Sequence, residues 1–326
     1  MFREEEISNF FNGRQFFILT AVLFVVLMWI TPPSSVILQG SSSGVCFPSL
    51  TTFAISPLLS FVLSVAGMIG ASLMLAFLNK ENSYVREVTY IFSSSFLLLA
   101  IANPTIATRF YDGTLLNVIV LLLANILFGT YQDNKSQQKV YLAFVLLAIC
   151  CMFQYAFIYL IPVMVLGIGQ MRVMGLKSIF AMIFGLVTPY WIATCSGLVG
   201  LSEYKAPHLV DIWSGLNFGQ SGFMIAIVAF TILLSLTLLG TNALKLMSYK
   251  MQTRSYNGFF IVLMLFTIIV MGIDYNNLFV YMPVLNICLS IQIAHTYTLR
   301  KQSRRYIPYV LFVLICMLSY AWQVFY

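Results

Sequence analysis

The charged residues of this sequence are confined to short stretches between long apolar runs. The chain has 17 Lys and Arg and 10 Asp and Glu in 326 residues, and 60% of its residues are hydrophobic. Water-soluble domains carry about 25% charged residues, against 8% here. The apolar runs must therefore face lipid and one another. The sequence predicts an all-α, polytopic transmembrane bundle that forms a single integral membrane domain over residues 1–326.

Eleven apolar runs predict membrane helices, because a helix crosses the hydrocarbon core with about 20 residues. The spans are predicted at Gln15–Thr31, Ile55–Leu78, Val88–Asn103, Thr114–Tyr131, Val140–Phe153, Tyr155–Gln170, Ser178–Gly197, Gly222–Leu244, Gly258–Ile273, Leu278–Leu299 and Tyr306–Phe325. The acidic start MFREEEISNFFNGR has no small-residue cleavage site, so we expect no removable signal peptide.

The stretch Val140–Gln170 decides the topology. As one helix it would be about 46 Å long, well beyond the hydrocarbon core. A hairpin that pivots at Gln154 and Tyr155 is therefore predicted, with an external cavity beside the pivot. All basic residues except Arg109 and Lys205 then share one side, so the positive-inside rule predicts a cytoplasmic amino terminus and an external carboxyl terminus. That basic set is Arg3, Arg14, Lys80, Arg86, Lys135, Lys139, Arg172, Lys177, Lys245, Lys250, Arg254, Arg300, Lys301, Arg304 and Arg305.

The short external crossing that contains Arg109, Tyr111 and Asp112 leads directly into a membrane helix. Two interpretations are open. Asp112 caps free backbone N–H groups while Arg109 anchors the chain at the interface. Alternatively, the pair forms a charged site at a cavity mouth, with Asp112 as acid, base or metal ligand and Arg109 as a phosphate binder.

Other polar residues of the external side are weaker candidates. The loop that carries Glu203, His208 and Asp211 lacks the regular spacing of a zinc site, so a solvated loop is favoured over a metal site. Asp274 lies in a tight turn and is expected to be a turn residue, although it shares the face of Asp112. His295, one helical turn before a basic loop, is expected at the membrane interface.

Several functions are disfavoured. The net charge of +7 comes from basic residues that mark cytoplasmic loops, so nucleic-acid binding is not expected. No Asp, Glu, Lys or Arg falls in the middle of a predicted span, which disfavours an ion-driven transporter. No P-loop is present, and no metal or cofactor is predicted. Six cysteines lie mostly in apolar runs, and only Cys46 and Cys195 lie near one face, where a disulfide between them is possible but not required.

The order of segments from Ile91 to Ala193 resembles a known class. It consists of an apolar helix, an external crossing that ends in an acid, a helix that runs into a basic turn, a short hairpin, and a helix that ends in GLVTPYW. This order resembles the middle of the GT-C glycosyltransferases, polytopic enzymes that use polyprenyl-phosphate sugars. The resemblance implies that Asp112 is the catalytic acid, because the class places an acid at the external start of this helix.

The same resemblance implies further residues and a location. Tyr111, Gln154, Tyr155 and Asp274 would join Arg109 in binding substrate, and the loop of Glu203, His208 and Asp211 would cover the acceptor. A G-x-x-x-P-Y tract at Gly185–Tyr190 is also similar to an uncharacterised family of Gram-negative inner-membrane proteins, which implies the bacterial inner membrane.

Two departures from the class are visible. The first external loop, Pro32–Ala54, contains no acidic residue, and Gln154 stands where members often carry Lys or Arg. The leading hypothesis is a GT-C-like protein of cell-envelope glycan metabolism that binds membrane lipid and a polyprenyl-phosphate sugar. The second is a non-catalytic subunit of an envelope assembly or secretion complex with other envelope proteins as partners. A transporter is third.

Overall fold

The computed structural model describes residues 2–31, 44–49, 56–85, 89–133, 135–205, 218–246, 249–274, 277–299 and 306–325. Within these ranges the chain forms α-helices joined by short turns, so the predicted all-α fold is confirmed. The helices are α1 Phe2–Asn12, α2 Arg14–Ile30, α3 Pro57–Asn82, α4 Ile91–Ala102, α5 Asp112–Phe128, α6 Gln137–Phe153, α7 Leu160–Gln170, α8 Leu176–Cys195, α9 Phe218–Leu246, α10 Met251–Ile273, α11 Leu278–Leu299 and α12 Tyr306–Phe325.

Each of the eleven predicted apolar runs overlaps one helix, α2 to α12. Six of the described helices are long and apolar enough to cross a membrane: α3, α8, α9, α10, α11 and α12. The amino-terminal pair α1 and α2, bent by 57° at Gly13, would make a seventh span if it were counted as one. Helices α4, α5, α6 and α7 are shorter, so the number of eleven crossings stays a prediction.

Hydrogen bonds between helix ends define two opposite faces of the bundle. We call the face that contains the α4–α5 crossing the Asp112 face, and the other the basic face. Bonds at the Asp112 face join Thr31 to Tyr320, Phe110 to Ser60, Tyr111 to Phe279, Tyr155 to Lys205, and Asp274 to Tyr281. Bonds at the basic face join Ser8 to Tyr297, Tyr90 to Asn12, Asn257 to Tyr84, Gln132 to Met171, and Asn242 to Thr296.

These contacts make α2 to α12 alternate in direction between the two faces. The described basic residues other than Arg109 and Lys205 lie at or near the ends that meet at the basic face. This separation agrees with the charge bias on which the predicted orientation rests. Which face is cytoplasmic stays a prediction.

The chain reverses direction at the predicted pivot. Helix α6 ends at Phe153, Gln154 is extended, and a single 3₁₀ turn at Tyr155–Phe157 leads to α7. The N–H of Gln132 donates to the carbonyl of Met171 over 3.1 Å, which brings the end of α7 back beside the start of α6. The predicted hairpin is therefore present, with its turn at the Asp112 face.

Helix α11 is the centre of the bundle. It packs against α4, α5, α9 and α10, and nearly all of its residues are buried. Helix α4 is likewise buried at every residue. At about 18 Å it is shorter than the hydrocarbon core, and it is enclosed by other helices instead of facing lipid. The α4–α5 crossing, which carries Arg109 and Tyr111, thus follows directly on a fully buried helix.

Helix α3 shows how local sequence sets helix ends. Ser56 accepts a hydrogen bond from the N–H of Leu59 over 3.4 Å, and Pro57 occupies the first helical turn, as is common at helix starts. The helix ends before Ser83, which adopts the left-handed conformation with φ of 48°. The cap at Ser56 and the proline at position 57 thus set the start of α3, which lies next to the α4–α5 crossing.

Helices α6 and α8 run parallel and pack closely at Gly185. A Cβ added there would lie 2.8 Å from the carbonyl oxygen of Tyr141 and 2.8 Å from Cβ of Phe144. At the other end of the pair, Met152 and Ala193 share one small apolar cluster. Only glycine permits this approach, because a backbone atom cannot move aside as a flexible side chain can.

Replacing Gly185 with Ala should destabilise the protein. We expect a loss of about 1–3 kcal/mol, typical of overpacking, because the new methyl group meets the α6 backbone. The measurement is the thermal unfolding midpoint in detergent. The matched control is Gly240→Ala on α9, where an added Cβ meets nothing within 4 Å. A midpoint for Gly185→Ala equal to or above that of the control would contradict the close packing.

Candidate functional site

The carboxylate of Asp112 is buried at the first turn of α5. Only 3% of the residue is exposed, and the hydroxyl of Ser49 donates a hydrogen bond to its Oδ1. Helix α5 begins at Asp112, where the free N–H groups and the positive end of the helix dipole favour a negative charge. The position thus suits a carboxylate, whether its role is structural or catalytic.

Arg109 lies apart from Asp112 on an exposed edge of the crossing. It lines a cavity of about 600 Å³ between the last turn of α2, the first turn of α3 and the α4–α5 crossing. Among the described residues the ion pair within 4 Å is Lys139–Asp133, at the other face, so Arg109 and Asp112 do not pair with each other. The guanidinium is therefore available at the cavity.

The wall of this Arg109 cavity has one polar side and one apolar side. Thr108 lines it, is 5% exposed, and has a buried hydroxyl without a hydrogen-bond partner among the described residues. The apolar side includes an edge-to-face pair of Trp29 and Phe61 with ring centroids 5.7 Å apart. Trp29 is 70% exposed. The cavity can therefore hold a molecule with an anionic or hydroxylated head and an apolar tail.

Tyr111 anchors the crossing to the central helix. Its hydroxyl donates to the carbonyl of Phe279 on α11 over 3.1 Å, and its ring fills the space where a side chain at Gly113 would stand. Burial raises the pKa of the Tyr111 hydroxyl well above its ordinary value, and the charge of Asp112 raises it further. Tyr111 thus fixes the start of α5 as a neutral hydrogen-bond donor.

A short piece of the loop between α2 and α3, residues 44–49, contacts several parts of the Asp112 face. We call it the first-loop segment. The N–H groups of Val45, Cys46 and Phe47 donate to the carbonyls of Cys151 and Met152, at the end of α6, over 2.9–3.2 Å. In turn Val45 accepts from the N–H of Lys205 over 3.0 Å. Through Ser49 the same segment reaches Asp112.

The two pivot residues differ in surroundings. Gln154 is 2% exposed, and neither its amide oxygen nor its amide nitrogen has a hydrogen-bond partner in the described part of the chain. Tyr155 donates its hydroxyl to the carbonyl of Lys205 over 2.7 Å. Burial is the main cause that raises the pKa of Tyr155, with a smaller contribution from Cys46. Gln154 is therefore a buried polar group without a partner among the described residues, and Tyr155 holds Lys205 of the neighbouring loop.

Of the remaining predicted residues, the two that the structure describes, Glu203 and Asp274, form no hydrogen bond with Asp112. Glu203 is exposed, and His208 and Asp211 lie outside the described residues. The carboxylate of Asp274 accepts hydrogen bonds from Asn277 over 2.9 and 3.0 Å and from Tyr281 over 2.8 Å, as expected of a turn residue. No group of three metal-ligating side chains occurs among the residues that the structure describes.

The cysteines of the Asp112 face are both free. Cys195 is exposed and Cys46 is half-buried, so the possible disulfide between them is not formed. Burial raises the pKa of the Cys46 thiol above its ordinary value, a hydrogen bond with Tyr204 lowers it, and Glu203 raises it. The two thiols at this face therefore differ in their exposure to solvent.

Comparisons of the chain with protein-family models, with curated proteins and with solved structures gave no match. Its chemistry must therefore be inferred from the geometry of the Asp112 face. Two residues of that face could not be identified from the sequence. Ser49 contacts Asp112 although it lies 63 positions earlier in the chain. Thr108 has no distinguishing sequence context, and only its burial in the structure sets it apart.

Replacing Ser49 with Ala should loosen the first-loop segment. The variant removes the bond to Asp112, so Cys46 should react several-fold faster with a membrane-impermeant maleimide. Because burial raises the pKa of Cys46, its labelling in the wild type should be slow at pH 7 and should increase as pH rises.

Cys195, exposed at the same face, is the control within each molecule, and peptide mapping by mass spectrometry separates the two sites. A Cys46 rate that Ser49→Ala leaves unchanged would mean that Ser49 does not hold the segment.

Proposed function

We propose that this is a membrane protein on a GT-C-like scaffold that binds a polyprenyl-phosphate-linked sugar at its Asp112 face, in cell-envelope glycan metabolism of a bacterial inner membrane. The observation that carries the proposal is the Arg109 cavity. It combines a guanidinium, a buried hydroxyl without a described partner and an aromatic apolar wall within one volume of about 600 Å³. A phosphate ester on an apolar chain has the complementary groups.

The phosphate would be held by charge. A guanidinium binds phosphate oxygens with two parallel hydrogen bonds, and these are stronger than neutral ones. The Thr108 hydroxyl is enclosed in the cavity wall; once its side chain turns toward the cavity it could donate a third bond and gain the partner that it lacks among the described residues. The prenyl chain would leave the cavity past Trp29 and Leu58, which are exposed on the lipid side.

Asp112 would act as the acid or base of the transfer. It lies three residues after Arg109, so their Cα atoms are at most about 11 Å apart. A carboxylate at that distance can serve a sugar attached to the phosphate, provided that the first-loop segment moves away from it. As a base, Asp112 would take the proton of the acceptor hydroxyl. The acceptor oxygen would form a bond to the anomeric carbon of the sugar while the bond from that carbon to the phosphate oxygen breaks, and polyprenyl phosphate would leave.

A non-catalytic role is the second candidate, and the enclosure of Asp112 favours it. A carboxylate that is 3% exposed and bonded by Ser49 is also what a purely structural residue at a helix start requires. Together with the lack of an acid in the first external loop, this supports a subunit of an envelope assembly. Such a subunit would keep the fold and the lipid cavity but transfer no sugar.

Arg109→Gln should weaken phosphate binding. In native mass spectrometry of the detergent-solubilised protein with undecaprenyl phosphate as the probe, retention should fall about tenfold, because a charge-assisted contact is lost. Lys205→Gln is the matched control, since Lys205 is the other basic residue of this face outside the cavity lining. Equal retention by the two variants would contradict a phosphate site at Arg109.

Asp112→Asn separates the two candidate functions. If Asp112 is catalytic, expression of the wild type should change the pool of polyprenyl-phosphate sugars extracted from membranes, and Asp112→Asn should leave it as in cells with empty vector. The control is Asp133→Asn, at the basic face. Equal protein amounts are checked by quantitative immunoblot. A pool altered by Asp112→Asn as fully as by the wild type would remove Asp112 from the chemistry.

A further inference from the structure

A serine in the first turn of α3 connects the Arg109 cavity to the α4–α5 crossing. The N–H of Phe110, the residue after Arg109, donates to Oγ of Ser60 over 2.9 Å. The N–H of Ser60 itself donates to the carbonyl of Ser56 over 2.9 Å, which fixes Ser60 in the helix. Ser60 therefore holds the backbone of the crossing next to Arg109, and it does so through its side-chain oxygen.

Ser64, one turn further along α3, holds the same crossing in the opposite sense. Its hydroxyl donates to the carbonyl of Ala107 over 2.8 Å, and the residue is fully buried. The crossing is thus bonded to α3 on both sides of Thr108 and Arg109. Ser64 gives its hydrogen to this contact, whereas Ser60 uses its oxygen and keeps its hydrogen.

The hydrogen of the Ser60 hydroxyl is available to a ligand. A hydroxyl can donate one hydrogen bond and accept two, and the bond from Phe110 occupies one acceptor position. Ser60 donates its hydrogen to none of the residues that the structure describes. It is half-buried and lines the Arg109 cavity, which Ser64 does not line. An unused donor therefore lies at the cavity wall.

The other hydroxyls of the wall are less suited to this role. Thr31 donates to the carbonyl of Leu27 over 2.7 Å and is bonded to the hydroxyl of Tyr320 over 2.9 Å. The hydroxyl of Thr108 is enclosed and must turn before it can reach a ligand. Ser60 combines partial exposure with an unused hydrogen.

The charge at the cavity wall favours an anion as the acceptor for this hydrogen. Arg109 lines the cavity, and no acidic side chain is among the described lining residues. Hydrogen bonds to a charged acceptor are stronger than those to a neutral one. One phosphate group has enough oxygens to accept from a guanidinium and from a hydroxyl at the same time. The two donors can therefore bind a single phosphate.

We propose that Ser60 determines the head-group specificity of the Arg109 cavity, by donating a hydrogen bond to a phosphate oxygen of the lipid-linked sugar. Its oxygen meanwhile holds the crossing that carries Arg109. This inference rests on the proposed function. It assigns recognition of the phosphate to Ser60 and Arg109 together, and recognition of the prenyl chain to the apolar wall. A prenol, which lacks the phosphate, would keep only the apolar contacts.

The experiment is native mass spectrometry of the full chain in detergent, with undecaprenyl phosphate and undecaprenol as probes. Ser60→Ala should lower retention of undecaprenyl phosphate at least about fivefold, because a hydrogen bond to a charged group is lost. Retention of undecaprenol should stay unchanged. Ser60→Thr keeps the hydroxyl and should retain the phosphate lipid as the wild type does. The matched control is Ser64→Ala, which removes a hydroxyl from the same helix outside the cavity lining.

Three results would overturn the assignment. They are unchanged retention of undecaprenyl phosphate by Ser60→Ala, an equal loss of both lipids by that variant, and an equal loss of the phosphate lipid by Ser64→Ala. The last two would mean that Ser60 only supports the fold of the crossing. Ser60→Cys replaces the hydroxyl with a weak donor and should also lose the phosphate lipid selectively, which decides the question even if Ser60→Ala fails to fold.

Arg109→Gln in the same series separates this inference from the proposed function. A loss of undecaprenyl phosphate by Arg109→Gln without a loss by Ser60→Ala removes Ser60 and leaves the phosphate site. No loss by either variant removes the phosphate site itself, and the role of Ser60 with it.

Discussion

Hydrogen bonding of the backbone at membrane depth is the constraint on which the Asp112 face depends. In lipid, a helix that stops early leaves carbonyl groups without donors, and each costs several kcal/mol. Helix α6 stops at Phe153, and the N–H groups of the first-loop segment supply donors to Cys151 and Met152. The break at Gln154 is thus possible only because a distant loop covers it. That cover also brings Ser49 to Asp112, so the pivot and the buried carboxylate form one structural unit.

The same constraint separates the two charged residues of the crossing. Asp112 is turned inward to the start of α5 and is enclosed, whereas Arg109 is turned outward to a cavity beside lipid. A site that acts on a lipid-linked substrate needs both a place for the lipid phosphate and a group for the chemistry. The Arg109 cavity offers space for the phosphate in our proposal. The second role requires movement of the first-loop segment.

The helices of this protein were largely predictable from the sequence, because each apolar run of α2 to α12 has to be buried or to face lipid. Their ends were less so. Helix α1 was missed because its EEE tract and low hydropathy give no span signal, and α3 continues beyond Leu78 to Asn82. His295 was predicted at the membrane interface, and its depth in the membrane stays a prediction. It is fully buried and bonded to Asn257 over 2.5 Å, a contact that only the packing of α10 on α11 creates.

The candidate site was predictable only in part. Asp112, Arg109 and the pivot at Gln154 and Tyr155 follow from polar residues in apolar surroundings. The separation of the Arg109 and Asp112 side chains could not be predicted. The backbone between them is irregular, so the sequence does not fix the directions in which the two side chains point. The cavity wall is formed by α2, α3 and the crossing, which are distant in sequence, and no local pattern indicates their contact.

A structure by electron cryo-microscopy of the protein in lipid nanodiscs that contain undecaprenyl phosphate would test the central claim most directly. We predict density for a phosphate group within hydrogen-bond distance of the Arg109 guanidinium and the Thr108 hydroxyl, with its chain leaving between α2 and α3 past Trp29. A map in which the Arg109 cavity is filled by protein side chains, or in which the prenyl lipid binds elsewhere, would contradict it.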